Sequence, residues 1–182
     1  MMDIKELRIL EMLDNAVKEH NIRQHMVGVI QRVEQTLEDN PDAMMSWEPI
    51  PLDMFSKELP AEIKSCWVFN LRKNMTTGAE RHPNSIQRMR SYQGSGDFQT
   101  KPGSVWESNF LESNPEKEVV KRWLSIPVNV WHQGVVDNEN WVVLSFHTAE
   151  ISELVEERAD EEDGNNLHSE KYADKKPGNA RS

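Results

Sequence analysis

One cysteine, Cys66, stands in a chain of 182 residues. An intramolecular disulfide is therefore excluded, as is a zinc site built on several thiolates. A reducing, cytoplasmic setting is the simplest expectation. No stretch approaches the roughly 20 apolar residues of a membrane-spanning helix, so no membrane association is expected. The opening Met-Met-Asp-Ile-Lys-Glu has acids where a signal peptide has basic residues and then a long apolar run. Basic clusters are lacking as well. Lys and Arg number 21 against 31 Asp and Glu, a formal charge of −10, which argues against a phosphate-neutralising nucleic-acid surface. Gly94-Ser95-Gly96 is not followed by the Lys-Ser or Lys-Thr of a phosphate-binding loop, and no Gly-x-Ser-x-Gly elbow occurs. Apolar residues make up 37%, enough for one core in part of the chain, with appendages around it.

The apolar residues that are present change period along the chain. Ile4, Leu7, Leu10, Leu13 and Val17 recur at spacings of three and four, as do Met26, Val27, Ile30, Val33 and Leu37. Residues 1–40 are thus expected to be a helical segment of two amphipathic helices, ended by Asn40-Pro41. Residues 41–64, with Pro41, Pro49, Pro51 and Pro60, read as a connector. Its Trp47, Ile50, Leu52 and Phe55 are too apolar for a free linker and predict contact with the main domain. From Ser65 the period becomes two, and short β-rich runs alternate with turn residues as far as Thr148. This predicts an antiparallel sandwich or barrel over residues 65–158, closed by a short helix from Ile151 to Arg158. Residues 159–182 are polar and acidic and are expected to be a disordered tail.

Two stretches carry the chemistry. Gly78-Ala-Glu-Arg-His82-Pro-Asn84-Ser-Ile-Gln87-Arg88 leads to Gly94, and Pro127-Val-Asn129-Val-Trp131-His132 opens the second. In a regular strand Glu80, His82, Asn84, Ile86 and Arg88 share one face, while a bulge at Pro83 exchanges the sets beyond it. These stretches resemble the two motifs of the cupin superfamily. In the first, Gly78 and His82 match, Asn84 stands where a second histidine is usual, Arg88 and the adjacent Gln87 stand near the usual glutamate, and Gly94 closes the motif. In the second, Asn129 replaces the glycine of Pro-x-Gly-x-x-His, a mild change because asparagine tolerates the left-handed conformation.

The resemblance implies a mainly β fold, a cupin-like antiparallel barrel of jelly-roll type preceded by the helical segment. It also implies metal-ligand positions at His82 and His132, which Glu80 extends to a two-histidine, one-carboxylate set suited to a divalent ion (Fe, Mn, Ni or Zn). Asn84, Gln87, Arg88 and His147 are candidate contacts for a small-molecule ligand in the cavity. An Arg88 that faces the cavity favours an anion over a metal; an Arg88 that faces outward is a solvated strand residue. Three readings stay open: a metal-dependent metabolic enzyme of oxygenase or isomerase type, a metal-free binder or sensor of an anionic metabolite, and an interaction protein working through its helices. The family's habits also imply pairing into a homodimer through the sheets.

Overall fold

The computed structural model describes residues 3–159 and 167–175. Two helices come first, α1 (Ile4–Val17) and α2 (His20–Asp39). Asp3 caps α1 by accepting from the Lys5 amide, which satisfies one of the donors a helix start leaves free. The strands follow as β1 (Met45–Pro49), β2 (Ser65–Leu71), β3 (Glu80–Arg81), β4 (Gln87–Gln93), β5 (Ser95–Lys101) and β6 (Phe110–Glu112). After the short helix α3 (Val119–Arg122) come β7 (Trp123–Ile126), β8 (Trp131–Val135), β9 (Trp141–His147), β10 (Val155–Ala159) and β11 (Leu167–Lys171).

These strands form two antiparallel sheets. One has the order β1-β2-β9-β4-β7 and the other β11-β10-β3-β8-β5-β6. Within them β2 pairs with β9, β3 with β8, β4 with β7, and β5 with β6. Those eight strands are one long antiparallel hairpin, wound so that β9 also meets β4 and β8 also meets β5. That winding is the jelly roll. The fold is therefore mainly antiparallel β with a helical N-terminal segment.

The first sheet is buried on both faces, and alternation along each strand decides which residue goes where. Cys66, Val68, Val142, Leu144 and Phe146 face the helices, where they pack with Leu10, Leu13, Ile22, Met26 and Val29. Trp67, Phe69, Met89, Val143 and Trp141 face the barrel interior with Phe98 and Leu111 of the second sheet. Gly96 is the place where Trp141 needs room, since a Cβ there would lie 2.3 Å from the indole ring.

Three expectations are corrected. The connector contributes β1, paired with β2 from Met45↔Leu71 to Pro49↔Trp67; Met45 and Trp47 enter the interior core, and Pro49 is tolerated because β1 is an edge strand. The helix expected from Ile151 to Arg158 is a turn followed by β10, because the edge of β3 takes Glu157 and Arg158 as partners and pairing overrides a weak local preference. The tail is ordered where it is described. Leu167–Lys171 pairs along β10, and Tyr172, in a 3-10 turn to Asp174, is buried among aromatic rings. Residues 160–166 and 176–182 of the expected tail lie outside the described residues. No helix among the described residues is long and apolar enough to cross a membrane.

Helix α1 is fixed to the sheet by ions as well as by apolar contact. Asp14 is buried and accepts from Arg122 through both carboxylate oxygens, from Trp123 Nε1 at 2.9 Å, and pairs with Lys18 at 2.8 Å and Arg90 at 3.4 Å. Burial alone would raise its pKa, but the donors from Arg122, Lys18 and Trp123 outweigh it and bring it down from 3.8 to about 2. A carboxyl depressed in this way stabilises the fold fully above its unfolded pKa, and the contribution is lost as pH falls through the folded one. Asp14→Ala is expected to cost about 3–5 kcal/mol, because it leaves Arg122 buried without its partner. In urea unfolding, Asp14→Asn should also flatten the loss of stability between pH 4 and pH 2; an unchanged acid limb would remove Asp14 from this role.

Candidate metal centre and barrel interior

The turn between β3 and β4 positions the site. Residues 82–86 leave the extended path, and the strand resumes at Gln87 with its parity exchanged. Gln87 therefore points inward, opposite His147, while Arg88 points to the helices, opposite Phe146. On the other side the turn at Pro127–Val130 carries Asn129 at φ +62°, the left-handed region that asparagine tolerates. Its amide donates to the His82 carbonyl at 3.0 Å, so the two histidine-bearing segments are tied together.

Glu80, His82 and His132 converge in the interior. Each offers one ligand atom, and these atoms lie within 4.8 Å of one another. Among the described residues this is the one cluster of its kind. The His82 and His132 ring centroids are 5.3 Å apart, and His132 Nε2 lies 3.5 Å from Glu80 Oε1. Both histidines are buried. His82 Nδ1 meets the Val155 carbonyl at 2.9 Å, and His132 Nδ1 meets the Val130 carbonyl at 3.0 Å. A carbonyl only accepts, so in each ring Nδ1 carries the proton, and in the neutral ring Nε2 is left with a lone pair. His132 Nε2 is buried with no hydrogen-bond partner. Phe98 stacks against the same ring at 5.6 Å and fixes its plane.

Electrostatics keep this set ready for a cation. Burial pushes the His82 imidazole down from 6.5 to about 4, with the neighbouring His132 adding to the effect. Burial would raise Glu80, but the charge of the Arg158 guanidinium holds it well below the usual carboxylate range. At neutral pH the cluster therefore comprises one carboxylate and a neutral His82 with a free lone pair.

The other candidate residues separate into two groups. Gln87 and His147 line the interior. Gln87 Nε2 donates to Ser145 Oγ at 2.9 Å, and its Oε1 is buried and unpaired. His147 lies edge-on to His82 at 5.0 Å, but its Nδ1 faces Ser85 Oγ at 3.2 Å and its Nε2 faces Ser145 Oγ at 2.9 Å. Both nitrogens are satisfied, so His147 supports the site and leaves no lone pair for an ion. Asn84 is corrected: its side chain bonds the Glu153 carbonyl at 2.7 Å and the Val155 amide at 3.1 Å, pinning the approach to β10 instead of entering the cavity. Arg88 is corrected too. It is 1% exposed, beneath α1, and its guanidinium pairs with Glu6 at 2.6 Å and Glu62 at 2.5 Å. The exchange of parity after Pro83 sends it there.

Sequence reasoning missed Arg158 and Glu156. Arg158 donates to Glu80 Oε2 at 2.5 Å, to Glu156 Oε1 at 2.6 Å and to the Thr77 carbonyl at 3.0 Å. Gly78, at φ +77°, makes room for it, since a Cβ there would lie 3.0 Å from the guanidinium. Burial, then the Glu80 charge, raises the Glu156 carboxyl from 4.5 to about 7. Nothing in a Glu-Glu-Arg run distinguishes a buried strand from a solvated helix, so no signal was there to read. The space left among Met45, Phe69, Thr77, Glu80, Gln87 and Phe98 is about 20 Å³, room for about one water or ion. A surface cleft of about 680 Å³ beside β6 and α3 contains no histidine.

Because Arg88 serves the helix seam, Arg88→Ala should lower stability by about 2 kcal/mol, the worth of its charged hydrogen bonds. Ligand or metal binding in the interior should be unaffected; a variant that keeps its stability but loses binding would return Arg88 to the cavity.

No family model matches the chain, and no curated protein does. Among solved structures it is similar to the coconut allergen cocosin, at 16% identity and TM-score 0.46, covering 61% of this chain and 28% of that one. It is also similar to an oxalate oxidase in complex with glycolate, at 11% identity and TM-score 0.44, covering 59% and 52%. A third is the capsular polysaccharide assembling protein CapF from Staphylococcus aureus, at 12% identity and TM-score 0.40, covering 47% and 22%. The chain thus spans about half of the oxalate oxidase and about a quarter of the other two. At these identities and TM-scores the likenesses carry no function across, and the jelly-roll assignment stands on the strand order given above.

Proposed function

We propose that the barrel interior is a mononuclear metal centre at which a small molecule is bound and turned over, as the cupin-like motifs suggest. Glu80 Oε1 and the Nε2 atoms of His82 and His132 would hold the ion. The observation that carries this reading is the pair of Nε2 lone pairs, each fixed by a backbone carbonyl on the far side of its ring, with a carboxylate beside them. Metal-bound histidines are held in this way. A buried ring nitrogen without a partner, as in His132, costs stability unless something occupies it. Two histidines and one carboxylate suit Fe(II) with open positions, with Mn, Ni or Zn as the other divalent candidates. When bound, such an ion supplies Lewis acidity and, for iron, a one-electron couple.

The protein's own groups do the rest. Arg158 keeps Glu80 ionised and turns one of its oxygens toward the histidines. Gln87 Oε1 is an unsatisfied acceptor in the interior, suited to a hydroxyl or N–H of the ligand. Phe98 and Met89 limit water around the set. The metal-free reading, with an anionic metabolite held by Arg88, loses its cation because Arg88 lies outside the barrel, and Arg158 is already paired with Glu80 and Glu156.

Elemental analysis of untagged protein should find about one equivalent of a divalent transition metal. Glu80→Gln, His82→Ala and His132→Ala should each reduce retention by about tenfold or more, while near-UV circular dichroism stays folded. His147→Ala should reduce it less. Parent protein from metal-supplemented culture that retains none would sink the reading, as would a His82→Ala/His132→Ala double variant that retains it all.

A further inference from the structure

Tyr172 is 2% exposed although it belongs to a polar C-terminal segment. Its ring lies 5.2 Å from Trp67, 5.5 Å from Trp47 and 5.9 Å from Phe69 between centroids. Those three side chains project into the barrel from the adjacent strands β1 and β2. Lys175, three residues on, sets its ammonium 5.2 Å from the Tyr172 ring and pairs it with buried Glu156. The arm that carries both residues runs along β10 and places Tyr172 against the Leu154 carbonyl through its amide at 2.8 Å.

The rings fit and the polar atoms do not. The Tyr172 hydroxyl, Trp67 Nε1 and Glu156 Oε2 are all buried without a hydrogen-bond partner. A settled core seldom leaves three polar atoms unpaired among neighbouring residues. Beneath the arm are three aromatic rings and a carboxylate, the chemistry that recognises an ammonium group. Lys175 already sets an ammonium on that carboxylate, and Tyr172 already sets a ring among the aromatics.

We propose that Trp47, Trp67, Phe69 and Glu156 form a binding site for an organic ammonium ion, and that Tyr172 and Lys175 occupy it in cis. The ligand and the arm compete for it. This rests on the proposed metal centre only in making the site its antechamber: Arg158 bonds Glu156 on one side and Glu80 on the other, so an ammonium seated on Glu156 is one guanidinium away from the ligand set. The small interior space then reflects an occupied entrance.

The test is titration with benzyltrimethylammonium, read by tryptophan fluorescence and calorimetry on the full chain with a chelator in excess. Tyr172→Ala should bind the probe about tenfold more tightly than the parent, because the internal competitor is gone. Lys175→Gln, which leaves the tyrosine ring in place, should gain about threefold through loss of the competing ammonium. If Tyr172→Ala does not fold, Lys175→Gln decides the question. Phenylacetate, of similar shape and opposite charge, should not bind, and Glu156→Gln added to Lys175→Gln should reverse the gain. Equal affinity in parent and variants overturns the proposal, as does equal binding of phenylacetate. With chelator present, these results are independent of the ion. If parent protein from metal-supplemented culture, assayed without chelator, retains no metal while these affinities hold, the metal centre falls and the ammonium site stands.

Discussion

The strands β2 and β9, and β4 as far as Ser91, have no solvent face. Their side chains go alternately to the helices and to the barrel interior, and this constraint places nearly every residue of consequence. On the helix side the polar groups that must be buried are paired with acids from the helical segment and its connector: Arg88 with Glu6 and Glu62, Arg90 and Arg122 with Asp14. On the inner side the same strands supply Gln87, Ser145 and His147. A shift of one residue in β4 would send a guanidinium into the cavity and an amide against the helices. The non-extended residues 82–86 set that parity, so the turn with Pro83 fixes the site as much as the histidines do.

The interior shows how buried charge is made tolerable. Glu80 and Glu156 are joined by Arg158, and Lys175 also meets Glu156. Two acids and two bases balance there, and an isolated ion would be expensive in such surroundings. The histidines are handled differently. Burial strongly disfavours their charged forms at 82 and 147, so they stay neutral and contribute lone pairs or accept from hydroxyls. The metal-centre reading depends on this division, in which the arginine keeps the carboxylate charged while burial keeps the His82 ring uncharged.

Much of the fold was legible in the sequence because its signals are periodic. The three-and-four spacing of Leu10, Leu13 and Val17, and the nearly continuous apolar, β-rich run of Trp141 to His147, correspond to α1 and β9. A strand expected from Arg122 to Ile126 begins one residue later, at Trp123, and the turn before His132 was legible from its Pro127 and Asn129. Arg88 stayed open between cavity and exterior because alternation carries through a strand only as far as the strand is continuous; the exchange at Pro83 turns it away from the cavity, and the partner acids that bury it come from distant parts of the chain. Glu156, Arg158, Tyr172 and Lys175 were hidden for another reason. Their burial is secured by one another and by β3, partners distant in sequence, so a polar composition that reads as a short helix and a solvated tail is offset by ion pairs and aromatic contacts.

Cys66 lies on the helix side of β2, fully buried, and burial raises its thiol well above the ordinary value. It is walled in by the helical segment and turned away from the barrel. A reagent can meet it only when the helices lift from the sheet, and even then only the thiolate reacts readily. The molecule therefore carries a native reporter of one specific motion. The thiol is blind to events in the barrel interior and at the C-terminal arm, and its rate of modification measures how often the seam between helices and sheet opens, a local unfolding distinct from the global one.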